Sequence, residues 1–195
     1  DRGMQAPVLA VGDGALGFWA ALAEVWPHTQ GQRCWFHKMG NVLDKLPQKE
    51  RKEATLRLRA VYLAGSRAAA ERLAHELASE WQKNYPKAAT CLLTDLDACL
   101  RYFDYPQEHW KHLRTTNPVE STFSTMRLRT DAAKRFRTAR SGLHLIFKLF
   151  QRYQKTWSSI SAAEKLRDVL DQAKAKEKPV DKMSKNETDA VAIAA

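Results

Sequence analysis

The stretch Val8-Leu9-Ala10-Val11-Gly12-Asp13-Gly14 is a short apolar run that stops at an acidic residue and a glycine. A run of this length, closed by a turn signal, is typical of a buried strand. A carboxylate that directly follows such a strand points into the cleft above the sheet edge, where its oxygens can bind a divalent metal ion. Asp13 is therefore the first candidate metal ligand.

The residues that follow continue the pattern of an α/β layer. Apolar side chains recur at intervals of three and four from Leu16 to Trp26, which predicts a helix ended by Pro27. Residues 30–37 suit a second strand, which carries the dense group Cys34-Trp35-Phe36-His37. A strand, helix, strand order favours parallel pairing, so residues 1–37 are predicted to form part of an α/β core.

Residues 38–114 predict helices alone, with proline and glycine as punctuation. The periodic segments are residues 48–64, 66–85 and 86–105. This part of the chain is therefore predicted to be a large all-α insertion.

Residues 115–177 are predicted to begin with a helix whose start is well marked. Asn117 suits the N-cap, Pro118 the first turn, and Glu120 the third position of a capping box. A strongly basic stretch follows this Glu-bearing helix.

Further helices are predicted towards the C-terminus. Ser141 is placed to cap an amphipathic helix, and Ser161 with Glu164 forms a second capping box for a helix that ends near Lys176. The sequence beyond is small, polar and aperiodic, so residues 178–195 are predicted to be a disordered tail.

Size and composition limit the class of protein. The chain has 195 residues, 44% of them hydrophobic, which is enough for one core with a helical insertion. It holds no run of eighteen apolar residues and does not start with the apolar core of a signal peptide, so we expect a cytoplasmic protein without a membrane partner. Its three cysteines lack the spacing of a disulfide framework.

The positive charge is concentrated in one part of the chain. The formal net charge is +10, and residues 111–155 hold 11 basic residues against two acidic ones. So uneven a cluster is typical of a surface that binds a polyanion, nucleic acid above all. The alternatives are a solvated surface balanced elsewhere in the fold and a surface that meets an acidic protein.

Asp13 and Glu120 together suggest phosphodiester chemistry. Clustered carboxylates can hold two metal ions about 3.5–4 Å apart, which activate the nucleophile and stabilise the leaving oxygen. The two residues meet only if the helical insertion leaves and returns to the same sheet edge. The alternative is that Asp13 merely caps the following helix and Glu120 merely closes its capping box.

Two other groups of residues have side chains suited to metal binding or base stacking. Cys34 and His37 have the spacing of half a zinc site, but the sequence has no second pair at ligand spacing. Cys34 is therefore predicted to pack under the sheet, and His37 to stand near the cleft as a hydrogen-bond donor or positioning group. Trp110 and Lys111 stand just before the basic stretch, where an aromatic ring can stack on a base.

Three motifs in order resemble the Mutator-type transposases of bacterial insertion sequences. They are Gly12-Asp13-Gly14, then Gln32-Arg33-Cys34-Trp35-Phe36-His37-Lys38, then Thr115-Thr116-Asn117-Pro118-Val119-Glu120 running into Arg127-Leu128-Arg129-Thr130. The resemblance covers about residues 8–157. It implies an RNase H-like fold, a DDE triad of carboxylates that binds Mg²⁺ or Mn²⁺, and an all-helical insertion between the second and third acid.

The resemblance also assigns roles to individual residues. Asp13 matches the second acid and Glu120 the third, Cys34 and His37 match the family's Cys-x-x-His pair, and Asn117 matches the residue that opens the glutamate helix. The first acid should lie some tens of residues before the second. We therefore expect an N-terminally incomplete RNase H-like core, the C-terminal part of a transposase that is inactive alone because its metal site is incomplete.

The resemblance implies that an intact relative hydrolyses the phosphodiester at an element end and then joins the freed 3′ hydroxyl to target DNA. The expected partners are DNA, as element ends and target, and further copies of the chain assembled on it, in a nucleoid-associated protein with no small-molecule substrate. The predicted DNA-binding residues are Arg127, Arg129, Lys134, Arg135, Arg137, Arg140, Trp110 and Lys111.

Other classes of function remain open from the sequence. One is a non-catalytic DNA- or RNA-binding remnant or regulatory module that uses the basic helices alone. The other is a helical interaction protein whose basic surface meets an acidic partner.

Overall fold

The computed structural model describes residues 3–176, which are mostly helical with a small two-stranded sheet. The strands are β1 (Leu9–Gly12) and β2 (Gln30–Arg33), and the helices are α1 (Leu16–Val25), α2 (Trp35–Leu43), α3 (Arg51–Tyr62), α4 (Arg67–Trp81), α5 (Pro86–Leu93), α6 (Leu96–Cys99), α7 (Trp110–Leu113), α8 (Asn117–Ala132), α9 (Ala139–Tyr153) and α10 (Lys165–Lys176). No helix in this described part is long and apolar enough to cross a bilayer. The mixed α/β character is confirmed, with helix predominant.

The two strands pair in parallel, in register from Leu9 with Gln30 to Gly12 with Arg33. The predicted strand, helix, strand unit with parallel pairing is therefore confirmed. The second strand was predicted too long, because residues 34–37 are not extended: Cys34 precedes α2, and the rest of the group lies within that helix.

The side chain of Trp19 explains why both strands carry glycine. A Cβ atom on Gly12 or on Gly31 would lie 2.9 Å from the Trp19 ring, so the ring lies directly against both strands. The indole Nε1 also donates a hydrogen bond of 2.9 Å to the backbone oxygen of Asp13. Trp19 thus fixes the start of the loop that leaves β1.

The hydrophobic core lies in the helical region between α2 and α7. Its largest fully buried side chains include Trp35, Leu58 and Tyr102. α2 was not predicted, and the long helix predicted over residues 86–105 is wrong. That segment breaks after α5 because Asp95 adopts a left-handed φ of 58°, and it continues as α6 and a short 3₁₀ turn.

A buried glutamine fastens the sheet to the helical region. Gln32 of β2 has no exposed surface, and its amide nitrogen donates to the backbone oxygen of Cys99 at 2.8 Å. Its amide oxygen accepts from the backbone nitrogen of Tyr102 at 2.7 Å. Trp35 adds a hydrogen bond of 2.7 Å from its indole to the same Cys99 oxygen.

We expect Gln32→Leu to destabilise the protein by about 2–4 kcal/mol, because a buried N–H left without a partner costs about 1–3 kcal/mol and further hydrogen bonds are lost. Urea unfolding measures the change. Gln82→Leu, at an exposed glutamine just after α4, is the matched control. Equal unfolding free energies for the two variants would show that the buried amide network contributes nothing.

The caps of two C-terminal helices differ from the prediction. Thr116, not Asn117, precedes α8, and Glu120 pairs with the Thr116 side chain instead of closing a capping box. Thr138 caps α9, because its extended backbone allows its hydroxyl to accept a hydrogen bond of 3.1 Å from the backbone nitrogen of Ser141.

The last described helix, α10, begins at Lys165 instead of at the predicted capping box, because the Ser161 backbone nitrogen is engaged elsewhere. It donates to His112 Nε2 at 3.2 Å. The neighbouring His109 is buried and pairs with the backbone oxygen of Ala162 at 3.1 Å. Two histidines therefore hold the segment before α10. The tail predicted over residues 178–195 lies outside the described residues.

The hydrogen bond between Ser161 and His112 makes the attachment of residues 161–162 dependent on pH. Burial lowers the pKa of His112, and the nearby charges of Lys111 and His109 lower it further. The neutral His112 ring accepts the Ser161 N–H. Because folding lowers the pKa of His112, this hydrogen bond stabilises the fold fully above the ordinary pKa near 6.5, and its contribution is lost as the pH falls through the lower pKa of the folded state. We expect the protection factor of the Ser161 amide, its intrinsic exchange rate divided by its measured rate at the same pH, to fall from pH 7 to 5. An unchanged opening equilibrium over this range, or the same dependence in His112→Asn, would contradict this.

Candidate functional site

The parallel strands end side by side, and both candidate motifs start there. β1 leads into Asp13 and β2 leads into Cys34, whose backbone nitrogen donates to the Gly12 oxygen at 2.8 Å. The Asp13 carboxylate is exposed, and its Oδ1 accepts a hydrogen bond of 3.0 Å from the backbone nitrogen of Ala15. The carboxyl edge of the sheet thus presents one exposed carboxylate beside the start of α2.

The helical region leaves this edge and returns to it. It departs through Trp35, whose backbone nitrogen donates to the oxygen of Arg114 at 2.9 Å when the chain comes back. Two residues later, the backbone nitrogen of Thr116 donates to Cys34 Sγ at 3.3 Å. α8 therefore begins directly against the end of β2, although 82 positions separate these residues.

Four side chains form a hydrogen-bonded cluster at this return point. Cys34 Sγ lies 3.2 Å from Thr116 Oγ1 and 3.3 Å from His37 Nδ1. The Thr116 hydroxyl donates to Glu120 Oε1, and His37 Nε2 lies 3.8 Å from the same oxygen. We call Cys34, His37, Thr116 and Glu120 the return cluster. It fixes the position of a second carboxylate near the sheet edge.

The two buried thiols near the sheet differ in their surroundings. Burial raises the pKa of the Cys34 thiol, but hydrogen bonds with Thr116 and His37 outweigh burial and leave the pKa below its ordinary value. Burial raises the pKa of Cys99 to about 12, despite the nearby charges of Lys38 and Arg33. Cys34 is thus a polar member of the return cluster, whereas Cys99 is a neutral core residue.

A guanidinium lies against the loop that carries Asp13. A Cβ atom on Gly14 would meet the Arg33 side chain, with Nη1 only 2.6 Å away. Gly14 therefore leaves room for this cation to approach the loop. Arg33 Nη1 is buried and has no hydrogen-bond partner among the described residues.

Some of the predicted site residues contact one another through their side chains, and Asp13 is linked to them only through a backbone hydrogen bond. Glu120, Cys34 and His37 share the return cluster, and Asp13 connects to it through the Gly12 to Cys34 hydrogen bond. Asn117 is the exposed first residue of α8. Within residues 3–176, no group of three or more His, Cys, Asp or Glu side chains is arranged to hold a metal ion.

Six of the predicted DNA-binding cations are exposed on the second half of α8, the segment after it and the first turn of α9. We call this set the basic surface, and its members are Arg127, Arg129, Lys134, Arg135, Arg137 and Arg140. None of the ion pairs in the described part of the chain involves them. Further along, Lys148, Arg152 and Lys155 line an open groove at the end of α9. The charge of both regions is therefore available to a partner.

Trp110 packs against the helical core. Its ring packs edge-on against Phe103 at 4.6 Å, and its Nε1 donates to the Tyr105 oxygen at 2.8 Å. Trp110 is half-buried against the helical core, while the neighbouring Lys111 is exposed. Contact of these two residues with DNA stays a prediction.

The sequence interpretation missed Thr116 and Arg33. Thr116 directly precedes a helix that starts Asn-Pro, and threonine is a common residue at that place, so its position gave a usable signal. Arg33 ends a strand, but nothing in the spacing showed that its side chain would lie over Gly14.

Relatives of this chain are transposases of bacterial insertion sequences. It is 45% identical over 166 residues to the transposase for insertion sequence element IST2 of Acidithiobacillus ferrooxidans, and 45% identical over 161 residues to that for IS6120 of Mycolicibacterium smegmatis. These alignments cover 85% and 83% of this chain. They cover 56% and 50% of the relatives, so the chain spans about half their length.

The family comparison agrees with these relatives. Residues 1–160 match the family described as "Transposase, Mutator family". The match includes both strands, the helical region, the return cluster and the basic surface. The sequence resemblance is therefore confirmed, and the chain belongs to the Mutator family of transposases.

Proposed function

We propose that this chain supplies two acids, Asp13 and Glu120, to the metal site of a DDE transposase. The observation that carries the proposal is the return of the chain to the carboxyl edge of the sheet. Thr116 contacts Cys34 there, and Glu120 follows one helical turn later. Family membership supports the same assignment, since the relatives are named as transposases for insertion sequence elements.

The proposed scaffold is an RNase H-like core with the helical region inserted between the two acids. The parallel β1, α1, β2 unit supports it, as does the insertion of α2 to α7 between the strand that ends near Cys34 and the helix that carries Glu120. In this scaffold the sheet edge provides one acid and α8 provides the other.

The available donor atoms fit Mg²⁺ or Mn²⁺. Carboxylate oxygens are ligands that these hard cations prefer, and Asp13 presents an exposed carboxylate. The softer donor, Cys34 Sγ, is buried and already engaged by Thr116 and His37. When bound, the metal ions would activate a water or hydroxyl nucleophile and stabilise the leaving oxygen of the phosphodiester.

The remaining groups have supporting roles in this proposal. His37 and Thr116 hold Glu120 in place, and the basic surface binds the phosphates of DNA. Such backbone contacts give affinity and register instead of sequence choice. The DNA to be bound is that of element ends and target.

We further infer that this chain cleaves DNA weakly or not at all by itself. A DDE site uses three acids, and the described residues place no third metal-binding side chain with the proposed pair. The remaining acid would come from sequence that matches the other half of the relatives.

The test is Mg²⁺-dependent cleavage of plasmid DNA by this chain and by a chimera in which it replaces the matching part of the IST2-element transposase. We expect cleavage by the chimera and little or none by the chain. A chimera that folds and binds DNA but cleaves equally well with Asp13→Asn would refute the assignment of Asp13.

A non-catalytic DNA-binding module is the second candidate, favoured by the exposed, unpaired basic surface. It predicts DNA binding by the chain without metal-dependent cleavage in the chimera. Cleavage by the chimera that depends on Glu120 would exclude it.

A further inference from the structure

We infer that Thr116 is a positioning residue for Glu120 and that Cys34 in turn positions Thr116. The inference rests on the proposed role of Glu120 as a metal ligand. It concerns how one carboxylate is held in a fixed orientation by a hydroxyl and a buried sulfur.

The hydroxyl of Thr116 has two neighbours but only one proton. Oγ1 contacts both Glu120 Oε1 and Cys34 Sγ. An ionised carboxylate is a much stronger acceptor than sulfur, so the proton is directed to Glu120. The contact with Cys34 then fixes where the Thr116 oxygen lies.

The sulfur is a rigid anchor for this arrangement. Cys34 has no exposed surface and is held at the end of β2 by the backbone hydrogen bond to Gly12. Besides Oγ1, its Sγ contacts the backbone nitrogen of Thr116 and the ring of His37. A chain of contacts therefore runs from the end of β2 through Cys34 Sγ and the Thr116 hydroxyl to the Glu120 carboxylate on α8.

His37 lies near the same oxygen of the Glu120 carboxylate that Thr116 contacts. Its Nδ1 lies 3.3 Å from Cys34 Sγ, and its Nε2 lies 3.8 Å from Glu120 Oε1. Oε1 is thus approached by both Thr116 and His37, which leaves Oε2 of Glu120 without a hydrogen bond inside the return cluster. We assign Oε2 as the atom presented to a metal ion.

Three variants isolate the hydroxyl. Thr116→Val removes it and keeps the branched shape, Thr116→Ser keeps it and removes the methyl group, and Thr115→Val is the matched control at the neighbouring threonine. Thermal unfolding establishes that each variant folds. If Thr116 served only for packing, Thr116→Ser would not restore the position of Glu120 better than Thr116→Val does.

The first measurement is the crystal structure of each variant without metal. We expect Glu120 to leave the His37 contact in Thr116→Val and to keep it in Thr116→Ser and Thr115→Val. An unchanged Glu120 side chain in Thr116→Val would overturn the inference. This measurement needs neither catalysis nor metal binding.

The second measurement is Mn²⁺ binding to the chain, followed by electron paramagnetic resonance. Groups that orient a metal ligand change metal affinity by about 10–100-fold when removed, so we expect at least about tenfold weaker binding in Thr116→Val. Thr116→Ser and Thr115→Val should stay within about twofold of the wild type. Equal affinities for the two valine variants would overturn the inference.

A separate result would refute the proposed function. If Glu120→Gln binds Mn²⁺ as well as the wild type does, Glu120 is not a metal ligand and the proposed function is wrong. The crystal structures would still decide whether Thr116 positions the carboxylate.

Discussion

Glu120→Gln should reduce Mg²⁺-dependent cleavage by the chimera by at least about 100-fold. A metal ion contributes several kcal/mol of charge stabilisation in the transition state, and each 1.4 kcal/mol is a factor of about ten in rate. Gln keeps the size of the side chain and one oxygen but removes the negative charge. The readout is the rate of plasmid nicking at saturating DNA.

The control for this variant is Asp131→Asn, on the same helix α8. It makes the same change in charge at an exposed carboxylate remote from the return cluster. We expect it to leave the cleavage rate within about threefold of the wild type, since exposed side chains away from the site have small effects. A comparable loss in both variants would show that the effect comes from net charge.

Asp13→Asn should produce a loss of similar size, and the double variant should lose little more. Residues that act as one unit are strongly non-additive, because removing either ligand already disables the shared site. Independent, multiplicative losses for Asp13 and Glu120 would mean that the two carboxylates act in separate places.

Neutralising the basic surface should have the second largest effect, on DNA affinity. Five substitutions by glutamine, at Arg127, Arg129, Lys134, Arg135 and Arg137, remove five exposed cations. If each sits on a phosphate, the slope of log affinity against log salt changes by about 4 to 5, because binding releases about 0.9 counterion per contact. Wild-type affinity should accordingly fall by roughly 10² to 10³ between 50 and 200 mM salt.

Fluorescence anisotropy with a labelled duplex measures this slope. The matched control replaces five exposed cations of the helical region by glutamine: Lys45, Lys52, Arg59, Lys83 and Lys87. Net charge changes equally in the two variants. A similar loss of affinity and slope in both would show that DNA responds to overall charge, and the basic surface would lose its assignment.

The sequence predicted the sheet well because its signals are local. An apolar run that ends in Gly-Asp-Gly marks β1, and the periodic helix after it requires a parallel return. The end of β2 was missed because it depends on a distant group. Trp35 donates to the Arg114 oxygen, and no local pattern announces that partner.

The candidate site shows the same division. Asp13 and Glu120 were identifiable by residue type and by the ends of the elements that carry them. Thr116 became significant only when the folded chain placed its hydroxyl between Cys34 and Glu120. The hydrogen bond between Thr116 and Cys34 joins residues 82 positions apart in the sequence. It forms because the helical region returns to the sheet edge, and the spacing of residues does not predict that return.

The break at Asp95 has a related cause. Residues 86–105 are periodic enough to favour one helix, but Lys38 is buried and donates to the backbone oxygen of Thr94. Because the Thr94 carbonyl accepts this hydrogen bond, it does not take its place in a continuous helix. Tertiary contact therefore overrides local helix propensity at this point.

The anomalous difference map of crystals soaked in Mn²⁺ tests most directly whether Asp13 and Glu120 share a metal site. We predict a peak at a ligand distance of about 2.0–2.2 Å from a carboxylate oxygen of each residue. Peaks confined to other parts of the molecule, with both carboxylates unliganded in the soaked crystal, would contradict the account.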